Sequence, residues 1–428
     1  MRMPIPEYLE EVLGACRADH GEVADYIPEL AHADPDRLAV AVATLDGEVY
    51  SAGDADVEFS IQSISKPFTY ALAIADQGLE GVLERIDVEP SGDAFNEISL
   101  EQGTGRPRNP MINAGAIAAH ALVDGGDADG RSERILDLYS RLAGRALSVD
   151  EAVFESELST ADRNMAIAYM LRTVGTLDDD PRDVVRGYTR QCSVSVTVRD
   201  LARMASVLAS NGRTADGEVL LEPQVARQVL SVMATCGMYD AAGDWLTTVG
   251  IPAKSGVAGG LIGVLPGQVG IAVFSPRLDR HGNSARGVDV FGRLSRDMGL
   301  HLMEVPEAAR SVTRRVEHDD DVVVHELAGD LRFIEAERVL RAMSEEVEGD
   351  NVVVVDVRRV HRVNSVARRM VLEGLRRLHL DGHEVRVVDP ERVLPDVHTG
   401  SGELVTGAEA SGGYAPEVFD DLESAVKV

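Results

Sequence analysis

The sequence predicts an α+β domain followed by a smaller α/β domain. Two hairpin signals carry the first assignment, because Asp46-Gly47 and Pro266-Gly267 each lie between strand-like runs and are separated by a long helical stretch. After residue 320 the pattern changes to alternating strands and helices, which is typical of a parallel or mixed sheet. We therefore expect a first domain over residues 1–305 and a second over residues 320–400.

The first domain is expected to contain one antiparallel sheet. Two hairpins that are distant in sequence can pair into a single sheet, flanked by the helices at either end of the domain, while the long helical insertion forms a second lobe. The expected elements are a helix at 6–18, strands at 37–45 and 48–51, a helix from about 63 to 75, mostly helices over 79–228, strands at 253–265 and 269–275, and a helix at 284–302.

The second domain is expected to be joined by a polar linker over residues 306–319. An acidic segment over 401–428, rich in glycine and serine, predicts a loosely ordered tail. Between them the expected elements are strands at 322–327, 352–357 and 385–388 and helices at 335–347 and 365–379.

Composition limits the function classes. The net charge of −30 over 428 residues argues against nucleic acid and against an anionic membrane surface, since both demand a basic face. Cys16, Cys192 and Cys236 are too few and too scattered for a disulfide framework or a zinc site, so we expect reduced, buried thiols. The expected reduced thiols, together with an N-terminus that has no apolar signal core, predict a cytoplasmic protein.

The stretch Phe59 to Phe68 places Ser63 and Lys66 three residues apart, so that the two side chains share one face of a helix. Pro67 is comfortable only in a first helical turn, which puts Ser63 near the helix N-terminus. Only three of the 42 basic residues are lysines, and lysine can lose its proton where arginine cannot. The pair therefore predicts a serine nucleophile with a lysine base, although S-x-x-K alone is also typical of a helix start with a solvated lysine.

A second motif supports the catalytic interpretation. Lys254-Ser255-Gly256 falls on a predicted strand, and serine hydrolases of the penicillin-binding and β-lactamase kind combine S-x-x-K with such a later motif. Gly256, Gly259 and Gly260 would let a ligand approach the backbone, whose N–H groups could form an oxyanion hole. The alternative is a strand softened by glycine with one solvated lysine.

Longer motifs indicate one particular family of such serine hydrolases. From about residue 26 to residue 279 the chain resembles the serine-dependent glutaminases, which have a β-lactamase/transpeptidase-like fold. The matching stretches, in the family's order, are Asp25-Tyr26-Ile27-Pro28, Gln62-Ser63 to Lys66, Asn109-Pro110-Met111-Ile112-Asn113-Ala114-Gly115-Ala116, Asp162-Arg163-Asn164, Cys236-Gly237-Met238-Tyr239 and Pro252 to Gly260.

The resemblance implies a role for each matching residue. Ser63 is the implied nucleophile, Lys66 its general base, and the N–H groups of Ser63 and Val257 the oxyanion hole. Tyr188 or Tyr239 is implied to relay protons. The implied substrate contacts are Tyr26, Gln62, Ser63, Asn113, Glu157, Asn164, Tyr188, Tyr239 and Val257.

These assignments suit L-glutamine, whose α-ammonium needs one carboxylate and whose α-carboxylate needs neutral donors. Glu157 can supply the first, and Asn113, Asn164 and a tyrosine hydroxyl can supply the second. From the residues alone, the two asparagines are equally typical of helix caps, and Glu157 of a surface charge. The implied reaction is hydrolysis to L-glutamate and ammonia through a glutamyl-serine intermediate, with no metal and no cofactor. Two rivals remain: a penicillin-binding or β-lactamase-type hydrolase, and a signalling protein with a degenerate catalytic lobe.

The second domain resembles a STAS domain, the module of sulfate transporters and anti-sigma-factor antagonists. The resemblance rests on Leu327-Ala328-Gly329-Asp330-Leu331, the strand at 352–357, and Val363-Asn364-Ser365-Val366-Ala367 before a helix. In the antagonists a serine or threonine at this helix start can be phosphorylated, but here Val366 takes that position and only Ser365 could substitute. We expect a regulatory or interaction module with a protein partner, in a chain that forms a homo-oligomer.

Overall fold

The computed structural model describes residues 5–17, 20–92, 99–304, 313–319, 322–331, 333–346, 352–363, 365–394 and 416–427. The chain divides into two compact units, Met1–Glu304 and Val305–Val428. Each unit is built around its own sheet.

The first unit contains the expected five-stranded antiparallel sheet. Its strands are β1 (Ala39–Thr44), β2 (Val49–Gly53), β5 (Ala253–Ser255), β6 (Gly260–Leu265) and β7 (Val269–Phe274), and a separate pair is formed by β3 (Phe59–Ser60) and β4 (Ser195–Val196). The order across the sheet is β2-β1-β7-β6-β5, so β1 of the first hairpin pairs with β7 of the second. The long-range pairing of the two hairpins is therefore confirmed.

Helices cover the sheet and form the second lobe. They are α1 (Ile5–Ala15), α2 (Pro28–Ala31), α3 (Ser65–Leu83), α4 (Asn113–Ala121), α5 (Ala128–Ala143), α6 (Glu151–Ser159), α7 (Asp162–Thr173), α8 (Pro181–Cys192), α9 (Val198–Ala209), α10 (Pro223–Cys236), α11 (Ala242–Thr248) and α12 (Ala285–Met298).

Alternation along β1 explains how two layers of helices pack on one sheet. Val40 and Val42 point to the face covered by α1 and α12, whereas Ala39 and Ala41 point to the opposite core. The alanine face is shallow, so α9 can come close to the sheet. At Gly270 an added Cβ would lie 2.2 Å from the Ser206 backbone nitrogen, so only glycine fits under α9.

One expected strand is wrong in its extent. The sequence predicted a single strand over residues 253–265, but the chain turns over residues 256–259 and separates β5 from β6. The Gly256 N–H donates to the Gly260 carbonyl over 2.9 Å, and Gly259 has a φ of +99°, which a residue with a Cβ rarely adopts. The glycines that predicted a softened strand therefore form a tight turn instead.

The second unit has a mixed five-stranded sheet in the order β12-β11-β10-β9-β8. Its elements are β8 (Thr313–Asp319), β9 (Val322–Leu331), α13 (Phe333–Glu346), β10 (Val352–Val363), α14 (Ser365–Leu380), β11 (Glu384–Val388), β12 (Glu417–Phe419) and α15 (Leu422–Ala425). The pairs from β9 to β12 are parallel and only β8 is antiparallel to its neighbour β9. The alternating pattern thus predicted the sheet type correctly.

Both ends of this unit differ from the expected linker and tail. Within the expected linker, β8 adds an edge strand beside β9. Within the expected tail, β12 pairs with β11, and Phe419 and Leu422 pack against the apolar face that includes Val354 and Val388. Neither segment contains a long apolar run, and the neighbour with which an edge strand pairs is determined by tertiary packing that the local sequence does not specify.

Asn364 and the side chains of Ser365 and Val366 lie outside the described residues, so the expectation of a phosphorylation site stays a prediction. No helix within the described residues is both long enough and apolar enough to cross a bilayer.

Candidate active site

The start of α3 holds the nucleophile candidate in a constrained turn. β3 pairs with β4 just before this turn, and the Ile61 N–H donates to the Val194 carbonyl over 2.8 Å. Gln62 then takes a φ of +50°, a left-handed conformation that is costly for a residue with a side chain. The turn leads into one 3-10 turn that contains Ser63 and then into α3. The prediction that Ser63 lies at a helix N-terminus is confirmed.

Lys66 is buried in the first turn of the same helix. Its side chain is only 1% exposed, and Nζ donates to Asn113 Oδ1 over 2.7 Å. Burial penalises the ammonium form and lowers the pKa of Lys66 to about 7. A large fraction of the lysine is therefore a neutral amine near neutral pH, which excludes the interpretation of a solvated lysine.

Tyr239 joins Ser63 to the second buried lysine. Lys254 Nζ donates to the Tyr239 hydroxyl over 2.5 Å and to the Ser255 carbonyl over 2.7 Å. Burial, and then the nearby Lys66, lowers the pKa of Lys254 well below its usual range. Burial raises the pKa of Tyr239, although a hydrogen bond with Ser63 opposes that rise. Tyr239 itself has a φ of +56°, so a second constrained backbone position adjoins Ser63.

The turn after β5 carries Val257 to the same place. At Gly256 a Cβ would lie 3.0 Å from the Ile61 carbonyl oxygen and 3.3 Å from Gln62 Cβ, so glycine lets this turn approach the start of α3. Behind it, the Ser255 hydroxyl donates to Asn283 Oδ1 over 2.6 Å. These contacts bring the backbone of Val257 next to the nucleophile turn.

A cavity of about 320 Å³ opens in front of Ser63. On one wall, the Glu157 carboxylate accepts hydrogen bonds at Oε1 from the Tyr26 hydroxyl (2.9 Å) and from Gln62 Nε2 (3.0 Å). Burial raises the pKa of Glu157, and these two donors oppose that rise. Glu157 is thus a partly buried carboxylate, and Tyr26 and Gln62 both bond to its Oε1 and not to its Oε2. The alternative that Glu157 is an ordinary surface charge is therefore excluded.

Neutral amides line the other wall. Asn113 Nδ2 donates to Asn164 Oδ1 over 3.0 Å, and the Tyr188 hydroxyl donates to Asn113 Oδ1 over 3.4 Å. Asn113 is the first residue of α4, but its side chain caps nothing; Asn109 Oδ1 instead accepts from Met111 N and Ile112 N. The side chains of Asn113 and Asn164 are therefore directed to the cavity and not to helix capping.

Eight of the nine implied contact residues line this cavity. They are Tyr26, Gln62, Ser63, Asn113, Glu157, Asn164, Tyr188 and Val257. The exception, Tyr239, lies beside the cavity and reaches the site through Ser63 and Lys254.

Sequence reasoning missed five residues of the cavity lining: Thr160, Ala161, Arg163, Thr189 and Cys192. Arg163 could have been predicted from the sequence, because it belongs to the Asp162-Arg163-Asn164 motif. Cys192 carried no signal, since its place next to the cavity follows only from the last turn of α8. Within the described residues, no group of three or more His, Cys, Asp or Glu side chains could hold a metal ion.

Comparison with known proteins identifies the family of each domain. The glutaminase family model matches residues 21–303, and the STAS domain model matches residues 313–399. The glutaminase of Corynebacterium efficiens is 52% identical over 400 residues, which cover 92% of this chain and 95% of that protein.

Two solved structures are similar over nearly the same length. One, described as a crystal structure of Mglu, is 52% identical, has a TM-score of 0.82, and is matched over 92% of this chain and 100% of its own. A second, of Mglu in its glutamate form, is 48% identical, has a TM-score of 0.81, and is matched over the same shares.

The fold and the family match place the protein among hydrolases of the β-lactamase-like class, and more narrowly among the amidohydrolases. The chain belongs to the glutaminase family and carries a C-terminal STAS domain.

Proposed function

We propose that the protein hydrolyses L-glutamine to L-glutamate and ammonia through a glutamyl-Ser63 intermediate. One observation carries the proposal: a serine hydroxyl, a buried lysine of lowered pKa, and a cavity with one partly buried carboxylate occur together. The first two groups suit acyl transfer, and the third suits the α-ammonium of a free amino acid.

In the proposed acylation, neutral Lys66 accepts the Ser63 proton while Oγ attacks the side-chain amide carbon of glutamine. The N–H groups of Ser63 and Val257 stabilise the tetrahedral oxyanion. The position of Ser63 at the N-terminal end of α3 adds a favourable dipole for that charge.

The carbon–nitrogen bond then breaks, and the leaving amine takes the proton that Lys66 accepted, through a tyrosine relay, to depart as ammonia. We assign the relay to Tyr239 and not to Tyr188, because Tyr239 bonds with both Ser63 and Lys254 whereas Tyr188 bonds with Asn113. Water next gives a proton to neutral Lys66 as it attacks the ester carbon, the ester C–O bond breaks, and that proton passes to Ser63 Oγ.

Recognition in this proposal divides between the two walls. Glu157 binds the α-ammonium with the oxygen that Tyr26 and Gln62 leave unbonded. Asn113 and Asn164 lie opposite, with Tyr188 behind them, and offer neutral groups to the α-carboxylate. Discrimination follows because a ligand without these groups leaves buried polar atoms unpaired.

A substrate panel tests the function. We expect ammonia release from L-glutamine, release from L-asparagine that is slower by about 10²-fold or more, and no opening of a chromogenic β-lactam. Asparagine is one methylene shorter, so its amide carbon does not reach Ser63 while its α-groups occupy both walls. Absence of glutamine turnover would contradict the proposal, and rapid β-lactam opening would favour the penicillin-binding type of hydrolase.

The pH dependence follows from Lys66. Because the neutral amine is the active form, kcat/KM is expected to rise with pH through about 7 and to level off above it. The sign is fixed by the base: below that pKa the ammonium dominates and cannot accept a proton. A pH profile of kcat/KM checks this, and a profile that falls across pH 6–8 would contradict a lysine base.

For the STAS domain we infer a regulatory or interaction role with a protein partner, and for the whole chain a homo-oligomer. The support for a distinct module is the separate core of this domain, in which α13 and α14 pack on one face of its own sheet. The alternative of a signalling protein with a degenerate catalytic lobe is less well supported, because Ser63, Lys66 and Tyr239 are all present. Ser63 and Lys66 are buried, and Tyr239 is half-buried.

A further inference from the structure

A second carboxylate lies behind Glu157. Glu29 belongs to the short helix α2, and its Oε1 accepts a hydrogen bond from the Ser156 hydroxyl over 3.0 Å. Ser156 directly precedes Glu157 on α6. Ile27, Leu30 and Val153 pack the two helices together in a small apolar cluster that also touches Val257. The position of Glu29 relative to the cavity wall is therefore fixed by both packing and a hydrogen bond.

The other oxygen of Glu29 is unusual. Among the described residues, Oε2 has no hydrogen-bond partner although the atom is buried. Native proteins rarely leave a buried carboxylate oxygen without a hydrogen bond, so the position of this oxygen calls for a functional explanation.

Among the described residues, no arginine or lysine forms an ion pair with Glu29. Glu29 lines a second cavity of about 220 Å³, together with Asp34, Glu58 and Asp150. Arg37 is the cationic side chain in that lining as described, and it already bonds with Asp54 and Asp34. The negative charge of Glu29 is thus not neutralised by Arg37, and it can interact with other charged groups nearby.

Glu157 lies within range of that charge. Burial is the main cause of the raised pKa of Glu157, and repulsion from Glu29 adds a smaller contribution in the same direction, so the two carboxylates interact electrostatically. An ammonium group bound at Glu157 would be attracted by both negative charges, and its positive charge would offset the repulsion between the two carboxylates.

We propose that Glu29 is a specificity-determining residue that strengthens the binding of the substrate α-ammonium through its charge, without touching the substrate. This inference rests on the proposed function, in which Glu157 binds that ammonium. It differs from a structural role, which would need only the hydrogen bond to Ser156 and the packing of α2 on α6.

The test uses Glu29→Gln, which keeps the shape and the Ser156 hydrogen bond but removes the charge. Calorimetry measures the binding of L-glutamate, which has the ammonium, and of glutarate, which lacks it. We expect Kd for L-glutamate and KM for L-glutamine to rise by about 3- to 10-fold, with kcat and the Kd for glutarate within about 2-fold. An equal loss for both ligands, or no change for either, would overturn the proposal.

Two further variants separate charge from structure. Ser156→Ala removes the hydrogen bond and keeps the charge, so the ratio of the two Kd values should stay at its wild-type value. Glu29→Ser removes the charge with a different shape, and should reproduce the selective loss for L-glutamate if Glu29→Gln does not fold. Since the ligand binding needs no turnover, a protein that binds L-glutamate selectively but releases no ammonia contradicts the proposed function and not this inference.

Discussion

Ser63→Ala is expected to lower kcat for glutamine hydrolysis by about 10⁴- to 10⁶-fold, because the acyl-enzyme cannot form without the hydroxyl. Ser63 lines the cavity and is bonded to Tyr239, and no other hydroxyl acts as the nucleophile in the proposed route. Glutamate binding should persist, since the two walls of the cavity remain intact. Single-turnover ammonia release and calorimetry with L-glutamate measure the two effects separately.

A matched serine gives the control for that experiment. Ser231 lies exposed on α10 and donates back to the Arg227 carbonyl over 2.8 Å, so Ser231→Ala should keep wild-type activity. Acid quenching of the wild type during turnover should trap a mass increase of one glutamyl group, and Ser63→Ala should lack it. Turnover by Ser63→Ala within tenfold of the wild type would end the proposal of a serine nucleophile.

Lys66→Arg is expected to lower kcat/KM by about 10³-fold or more, since arginine stays protonated and cannot serve as a base. The substitution keeps a long nitrogen-bearing side chain but removes the neutral amine form, so the loss reports on proton transfer. It also forces a permanent charge into a position that is 1% exposed, so thermal unfolding must be measured beside activity. The rise of kcat/KM near pH 7 should disappear in this variant.

Two other lysines complete the design. Lys427 is exposed and ion-paired with Glu423, so Lys427→Arg should be unchanged. Lys254→Arg tests the other buried amine, which reaches Ser63 through Tyr239. If Lys254→Arg abolishes turnover while Lys66→Arg retains it within tenfold, the base is the Lys254–Tyr239 pair and the assignment of Lys66 is wrong.

Much of the fold could be predicted because its signals are local. Asp46-Gly47 and Pro266-Gly267 select hairpins, and the alternation of Val and Ala along β1 determines which face meets which layer of helices. The break over residues 256–259 and the edge strands β8 and β12 were not predictable in this way. Glycine permits both a loose strand and a turn, and short edge strands depend on a neighbour that local sequence does not name.

The site followed the same division. Ser63, Lys66 and Lys254 were found from motif spacing, and Glu157 and Asn164 only through a family resemblance. Gln62 and Glu157 are 95 residues apart, and only the packing of α6 beside the nucleophile turn brings them into hydrogen-bond contact. Cys192 in the lining had no signal at all, since it lies at the end of α8.

The sequence by itself determined the chemistry that is available: one serine and one lysine on the same helical face, a second lysine on a strand, and two domains of different architecture. The tertiary structure decided what that chemistry can do. Burial, which depends on every element around α3, lowers the pKa of Lys66 to about 7 and turns an ordinary cation into a base. Solvent exclusion is a property of the packed protein, and for that reason no spacing of residues along the chain could supply it.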